Sequence, residues 1–369
     1  MKILISGDLH LGFGSKSERE RDSYLALEKV LRIAKEEECR FVVLAGDIFD
    51  VRIPKPETWA AILNFLKELK NEGRECIAIY GNHERRGGNL INPLQSLAKA
   101  DLIKLLHCNH YIAKEYNLAF FGMSYVPDKY AIDVLREWSP KPLEGYYNIL
   151  ILHQNIFPFM YSELEEVSLK LEDLPKGFDL VVNGHVHYRV EKRFDNFTFI
   201  IPGSLIPTQL NKKEAEIKKG CYILDLEKKD LLFREVEVRR FFYEEVESLA
   251  ELEEKLSRIL EISEKDGEKP IVKIVVKGIR SFDLNLIEQR YREKVILHFK
   301  KEFERRIEKT HKEICQKRVS IEERIKEILN RNISLKKIDI FEFIDALSQE
   351  NFELVEGLLR KEYDNKDQG

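Results

Sequence analysis

One theme, repeated five times in the first 190 residues, constrains this chain most: a short apolar run that stops at a small or polar residue. KILIS (2–6) leads into Gly7, Asp8 and His10, and FVVLA (41–45) into Gly46 and Asp47. CIAIY (76–80) leads into Gly81, Asn82 and His83. NILIL (148–152) meets His153, and LVVN (180–183) meets Gly184, His185 and His187. Runs of this length, rich in Ile and Val and without period-two alternation, are expected to be strands buried on both faces. Between them, 24–37 carries Leu27, Val30, Leu31 and Ala34 at helical spacing, and 57–70 carries Trp59, Ile62, Leu63, Leu66 and Leu69. Strands alternating with helices of this length predict βαβ units and a largely parallel sheet.

The rest of the chain reads differently. Runs at 197–201, 221–226 and 231–238 predict an antiparallel meander split by a basic loop at 211–219. From about residue 240 an amphipathic helix (248–262) precedes strands at 271–276 and 295–299, the pattern of a small α+β domain. Beyond about 302 the chain is charged and helical, and it closes with apolar stretches at 338–347 and 351–363.

Composition narrows the class. With 43% apolar residues the chain can bury a sizeable core, which excludes a disordered protein. No run approaches the roughly 18 apolar residues of a membrane helix. The first apolar run reaches Asp8 and His10 too soon for a signal peptide. The five cysteines are scattered and never form a CxxC pair, so neither a disulfide framework nor a thiolate zinc site is expected. A cytoplasmic protein is the expectation.

Taken whole, the net charge of −4 argues against a nucleic-acid partner, but its distribution does not. Residues 1–268 hold 38 Lys+Arg against 46 Asp+Glu, a net of −8. Residues 269–337 hold 20 against 10, a net of +10, and residues 338–369 hold 3 against 9, a net of −6. The basic block is what a phosphate-backbone contact surface requires.

The strand-end residues carry the chemistry. Asp8, His10, Asp47, Asn82, His83, His153, His185 and His187 all lie just past apolar runs, and they include five of the nine histidines. Ligands bind at that edge of an open α/β sheet because the strand-end loops converge there. A single DxH or GxH reads as a capped turn; five in register read as a site. Mixed His, Asp and Asn donors without cysteine suit Mn²⁺, Fe²⁺ or Zn²⁺ better than Ca²⁺ or Mg²⁺. His185 and His187, two residues apart on an extended turn, could serve two adjacent metals.

In order, D8-x-H10, G46-D47, G81-N82-H83-E84, His153 and G184-H185-x-H187 resemble the signature of the calcineurin-like metallophosphoesterases, over roughly residues 1–205. The resemblance implies a sandwich of two mixed β-sheets flanked by helices, with Asp8, His10, Asp47 and His187 on one metal. It places Asp47, Asn82, His153 and His185 on the other, with Asp47 bridging. His83 would contact the scissile phosphate and protonate the leaving oxygen, a role that suits imidazole because it exchanges protons near neutral pH.

Within that family, DLHLG (8–12) and GDIFD (46–50), together with the overall layout, resemble the DNA double-strand-break-repair nucleases of the meiotic recombination 11 type (SbcD-like). That resemblance implies a nuclease domain over 1–240, a DNA-binding α+β capping domain over 241–312, and a linker with a C-terminal helix-loop-helix over 313–369. It further implies two Mn²⁺ per subunit, exonuclease and single-strand endonuclease activity, a homodimer and an SMC-like coiled-coil ATPase partner. Asp50 departs from the pattern: vigorous exonucleases often carry a histidine three residues after the bridging aspartate, and a carboxylate beside phosphate repels it. Lys16, Arg19, Arg85 and Arg86, in loops beside the motifs, are expected phosphate neighbours. The faces of 57–70 and 90–98 are candidates for a dimer bundle. Ile340, Phe343, Ile344, Leu347, Phe352, Val355 and Leu359 are more than two short helices can bury between themselves, which points to a partner groove. Two other readings compete with the nuclease: a phosphodiesterase or phosphatase for small molecules or phosphoproteins, which has no use for a basic cap, and a scaffold without activity, which has no use for eight retained site residues.

Overall fold

A computed structural model describes residues 1–302, apart from 86–89, 162–164, 265–266 and 278–280. Two six-stranded sheets dominate it. The first runs Asp230–Glu235, Gly220–Asp225, Lys2–Ser6, Cys39–Ala45, Glu75–Ile79, Lys104–Leu105, its last four strands parallel and its first two antiparallel additions. The second runs Val190–Arg193, Thr198–Ile201, Leu180–Asn183, Tyr147–Leu152, Leu118–Met123, Asn109–Ala113, with a parallel centre and antiparallel edges.

The uninterrupted apolar runs follow from this layering. Successive strand residues point to opposite faces. Ile3, Ile5, Phe41, Val43, Ile77 and Ile79 meet Phe120, Ile149, Ile151, Val182 and Ile200 between the sheets. Their neighbours Leu4, Val42, Leu44 and Ala78 face outward under helices Asp22–Glu36 and Pro56–Asn71, against Leu27, Val30, Ile62, Leu66 and Leu69. On the far side of the second sheet, Phe121, Leu150, Leu152, Val181 and Phe199 pack beneath Ala131 and Leu135 of helix Asp128–Trp138. Neither face of a central strand meets water, so neither face is polar.

The expected meander is only half present. Gly220–Asp225 and Asp230–Glu235 do pair antiparallel, but Thr198–Ile201 belongs to the other sheet, parallel to Leu180–Asn183. Phe199 fills the outer core and Ile200 the inner one, so this strand needs a sheet covered on both sides. The basic loop at 211–219 contains a short helix, Lys212–Glu216, and two of its charged residues, Glu214 and Lys219, are buried. Of the stretch 90–98, Leu94 and Leu97 enter the core from helix Pro93–Lys99, while Leu90 and Ile91 are exposed.

After residue 240 a three-stranded, all-parallel sheet follows: Phe241–Val246, Ile271–Lys277 and Ile296–Glu302. Ser248 caps helix Leu249–Ser263 by accepting the Glu251 N–H. A second helix, Ser281–Tyr291, was not anticipated. Both helices cover one face, where Val272, Ile274 and Val276 meet Leu252, Leu256, Ile259, Leu284 and Ile287. By alternation the other face carries Tyr243, Glu245, Lys273, Lys277, His298 and Lys300, with Lys277 paired to Glu245, beside the buried Phe241, Ile271 and Val275. Met1–Phe303 form one compact unit. Arg86 and the expected partner-binding residues between Ile340 and Leu359 lie outside the described residues.

Candidate metal centre

Parallel strands from both sheets deliver their carboxyl ends to one place, and short hydrogen bonds lock the loops there. The loops after Lys2–Ser6 and Cys39–Ala45 continue as a pair: His10 N–H donates to Asp47 O (2.9 Å), Leu11 N–H to Ile48 O (2.9 Å) and Asp50 N–H to Leu11 O (3.1 Å). Glu84, fully buried, accepts from Phe49 N–H (2.6 Å) and Gly81 N–H (2.7 Å), tying the second loop to the third. Across the sheets, Asp8 Oδ1 accepts the His185 N–H (2.9 Å) and Ala45 O accepts His153 Nδ1–H (2.8 Å).

The backbone is strained where the donors sit. Asp8, His10, Asp47 and His185 have φ of 43°, 45°, 44° and 78°, in the left-handed region. Such residues cost on the order of 1–3 kcal/mol each and persist only where surrounding structure enforces them. Glycine makes room: a Cβ on Gly81 would overlap the Asp47 carboxylate, and one on Gly46, at φ 89°, would overlap the His153 ring.

Three groups of close donors result; His10, Asp50 and His83 form the one nearest the surface, and two sets lie deeper. Asp8, His10 and His187 bring ligand atoms within 4.8 Å of one another, and so do Asp47, His153 and His185. In the first set, His10 Nδ1 faces an Asp50 carboxylate oxygen at 3.1 Å. A carboxylate only accepts, so His10 Nδ1 carries a proton and Nε2 is the atom turned to the site. It lies 3.0 Å from His187 Nε2. Asp8 Oδ2 is buried with no hydrogen-bond partner. In the second set, His153 Nδ1–H donates to Ala45 O, so Nε2 is the atom turned to the site, 3.2 Å from Asn82 Oδ1 and 3.4 Å from Asp47 Oδ2. Asn82 Oδ1 is also 3.1 Å from His185 Nδ1. Imidazole nitrogens and carboxylate and amide oxygens converging this closely, with an orphaned buried carboxylate oxygen beside them, are the donor chemistry of a divalent-cation site, and these residues fit one.

The electrostatics agree. Burial and the neighbouring His153 push His185 down to about 3, and burial with His10 pushes His187 down to about 2, so both imidazoles are neutral donors. Burial also disfavours charge on His153, yet Asp47 and Asp8 outweigh it and hold this group up at about 9. Burial, then Asp47, raises Asp8 to about 6. Asp47 stays far below the carboxylate range despite its burial, because His153 and His10 stabilise its charge. Two buried carboxylates in one pocket call for positive charge.

His83 sits at the rim, its side chain 35% exposed. Its N–H donates to Asp47 Oδ1 (2.9 Å) and its Nδ1–H to Asp50 O (2.6 Å), which leaves Nε2 unprotonated or free to carry a second proton, 3.9 Å from Asp47 Oδ2. Asp50 accepts the His10 Nδ1–H on its carboxylate and the His83 Nδ1–H on its carbonyl. Arg19 departs from expectation. Its side chain is 7% exposed, paired with Asp22 and donating to Pro207 O, so it is turned away from solvent. Lys16 and Arg85 are exposed. Tyr161, Thr208, Glu214 and Lys219 surround His187, and sequence reasoning singled out none of them. Tyr161 Oη accepts the His187 N–H at 2.7 Å.

Comparison with known proteins matches this geometry to a family. The chain is similar to the DNA double-strand break repair protein Mre11 of Sulfolobus acidocaldarius, 29% identical over 292 residues that cover 75% of each chain. It is similar to the same-named protein of Sulfurisphaera tokodaii, 29% identical over 304 residues, covering 79% of this chain and 77% of that one. To that of Saccharolobus solfataricus it is 31% identical over 238 residues, covering 62% and 61%. The sequence profile described as calcineurin-like phosphoesterase matches residues 1–189, the span that holds every strand-end donor described above. With that match and a donor set suited to two cations, the chain belongs to the calcineurin-like phosphoesterase family.

Proposed function

We propose that this chain is a DNA double-strand-break-repair nuclease that hydrolyses phosphodiesters with two Mn²⁺ ions, as exonuclease and single-strand endonuclease. It works as a homodimer with an SMC-like coiled-coil ATPase, associated with DNA in the cytoplasm. Residues 1–240 are the nuclease domain, 241–312 the DNA-binding cap, and 313–369 the linker and partner-binding tail. The names of the three similar proteins support the biological role. The observation that carries the chemistry is the pair of facing donor sets with His83 on their open side.

Asp8, His10, Asp47 and His187 would hold one cation, and Asp47, Asn82, His153 and His185 the other. A pair of divalent cations clamps the phosphate, lowers the pKa of water and neutralises charge on the leaving oxygen. The chain itself supplies orientation and the proton. Asp50 fixes His10 through Nδ1, and its carbonyl fixes His83 the same way, so His83 presents Nε2 to the leaving oxygen. On the cap, Lys273, opposite Tyr243, and the exposed Lys300 offer cations to the phosphate backbone.

Cleavage of labelled duplex and circular single-stranded DNA with Mn²⁺ tests this, comparing wild type with His83→Ser and Asp8→Asn. Wild type should cut both, Asp8→Asn neither, and His83→Ser about 10²–10⁴-fold more slowly, the usual contribution of a general acid. Hydrolysis of bis(p-nitrophenyl) phosphate without any DNA cleavage would sink the nuclease reading and favour a small-molecule phosphodiesterase.

A further inference from the structure

The segment around residues 204–219 contains a buried ion pair that holds neither cation nor phosphate. Lys219 and Glu214 have side chains only 4% and 6% exposed, with Nζ 2.8 Å from Oε1. A buried pair contributes little net stability by itself, so what it organises is informative. Glu214 accepts three successive backbone N–H groups, from Thr208 (3.0 Å), Gln209 (2.7 Å) and Leu210 (3.0 Å). Lys219 donates to Ser204 Oγ (2.9 Å) and to His187 O (3.3 Å). One ion pair therefore carries both the 208–210 loop and the backbone of His187. The loop returns to the same histidine: Thr208 Oγ1 lies 2.6 Å from His187 Nδ1. From the other side, Arg19 donates to Pro207 O.

We infer that Thr208, seated by the Glu214–Lys219 pair, is the positioning residue for His187. It accepts the Nδ1 proton and thereby aims a bare Nε2 at the position shared with Asp8 and His10. The inference rests on the two-cation reading above. Each of three ligand histidines then has its own proton acceptor: a carboxylate for His10, a carbonyl for His153 and a hydroxyl for His187. Such partners fix tautomer and ring orientation and are worth about 10–100-fold in metal affinity. Thr208 reaches the first donor set, whereas His153 of the second is oriented by Ala45 O. Its loss acts on one cation and spares the other.

Calorimetric titration of the chelator-stripped full chain with MnCl₂ tests this, alongside thermal melts. Wild type takes up two ions. In Thr208→Val one binding step weakens by about 10–100-fold while the other is unchanged. Thr208→Ser, which keeps the hydroxyl, restores it; a purely packing role would not follow the hydroxyl. Thr208→Val binding both ions as wild type does, or losing both steps alike, overturns the inference. Wild type taking up fewer than two ions overturns the two-cation reading itself and the inference with it.

Discussion

Asp22, on the first helix, offers a direct measure of how firmly the cap is joined to the phosphoesterase body. Its carboxylate, 1% exposed, is gripped by Arg19 and Arg239, whose side chains are 7% and 8% exposed. Arg239 Nε lies 2.9 and 3.1 Å from the two carboxylate oxygens. The same guanidinium donates to Lys269 O (2.7 Å), just before the cap's middle strand, and to Glu18 O (3.2 Å) on the body. Asp22→Asn keeps the shape and removes the charge, leaving two buried guanidiniums without their shared counter-ion. Removing one partner of a buried pair costs about 3–5 kcal/mol. The lower end applies because both arginines keep carbonyl acceptors, so about 3 kcal/mol is expected. A unit of roughly 300 residues unfolds with about 0.6 kcal/mol/K, and Tm should fall by about 5 °C. Scanning calorimetry reads the shift, and a double-mutant cycle with Arg239→Met isolates the pair. In the Asp22→Asn background, Arg239→Met should cost far less than alone. Additive effects, or a Tm change below about 1 °C, would refute the reasoning.

Two further outcomes bear on the site and the cap. Each cation present at 100 times its Kd stabilises the fold by about 2.7 kcal/mol, so chelating two should lower Tm by about 9 °C, and Asp8→Asn, which removes a ligand of one, should abolish about half of that response. A melting curve indifferent to EDTA would count against cation binding at this edge. For the cap, Lys273→Ala with Lys300→Ala should weaken duplex binding and flatten its salt dependence by roughly two in slope, one per lost phosphate contact. Turnover of a small diester should be unaltered; an unchanged salt slope would remove these lysines from the DNA surface.

The site was legible in sequence because its donors are local to strand ends. Apolar runs doubly buried cannot hide, and each donor follows within four residues of one. What escaped depended on partners far along the chain. Phe199 and Ile200 look like any strand pair, and nothing local says that they serve two different cores. Helix Ser281–Tyr291 shows no clean apolar stripe: Leu284 and Ile287 are buried while Leu286 is 47% exposed. Glu214 and Lys219 sit in a run of charges that reads as solvated, and only the folded loop shows them paired and buried. Arg19 looked like a phosphate contact for the same reason, since its partner Asp22 is three residues away but Arg239 and Pro207 are not.

Charge explains how the parts divide the work. Residues 1–268 carry a net of −8, and their catalytic edge buries Asp8 and Asp47 with Asp50 close by. A phosphodiester approaching that edge alone meets like charge, so its affinity depends on cations balancing the carboxylates first. Those carboxylates and histidines are common to any phosphoesterase of this type, and fold and ligand set therefore do not choose a substrate. The choice lies outside them. A small phosphoester needs nothing beyond the edge, whereas a polymer of phosphates gains from a second, separate row of positive charge. Lys273 and Lys300, on one sheet face in the segment whose net charge is +10, supply such charge. Substitutions there should separate DNA cleavage from hydrolysis of a small diester, which substitutions at the donor residues cannot do.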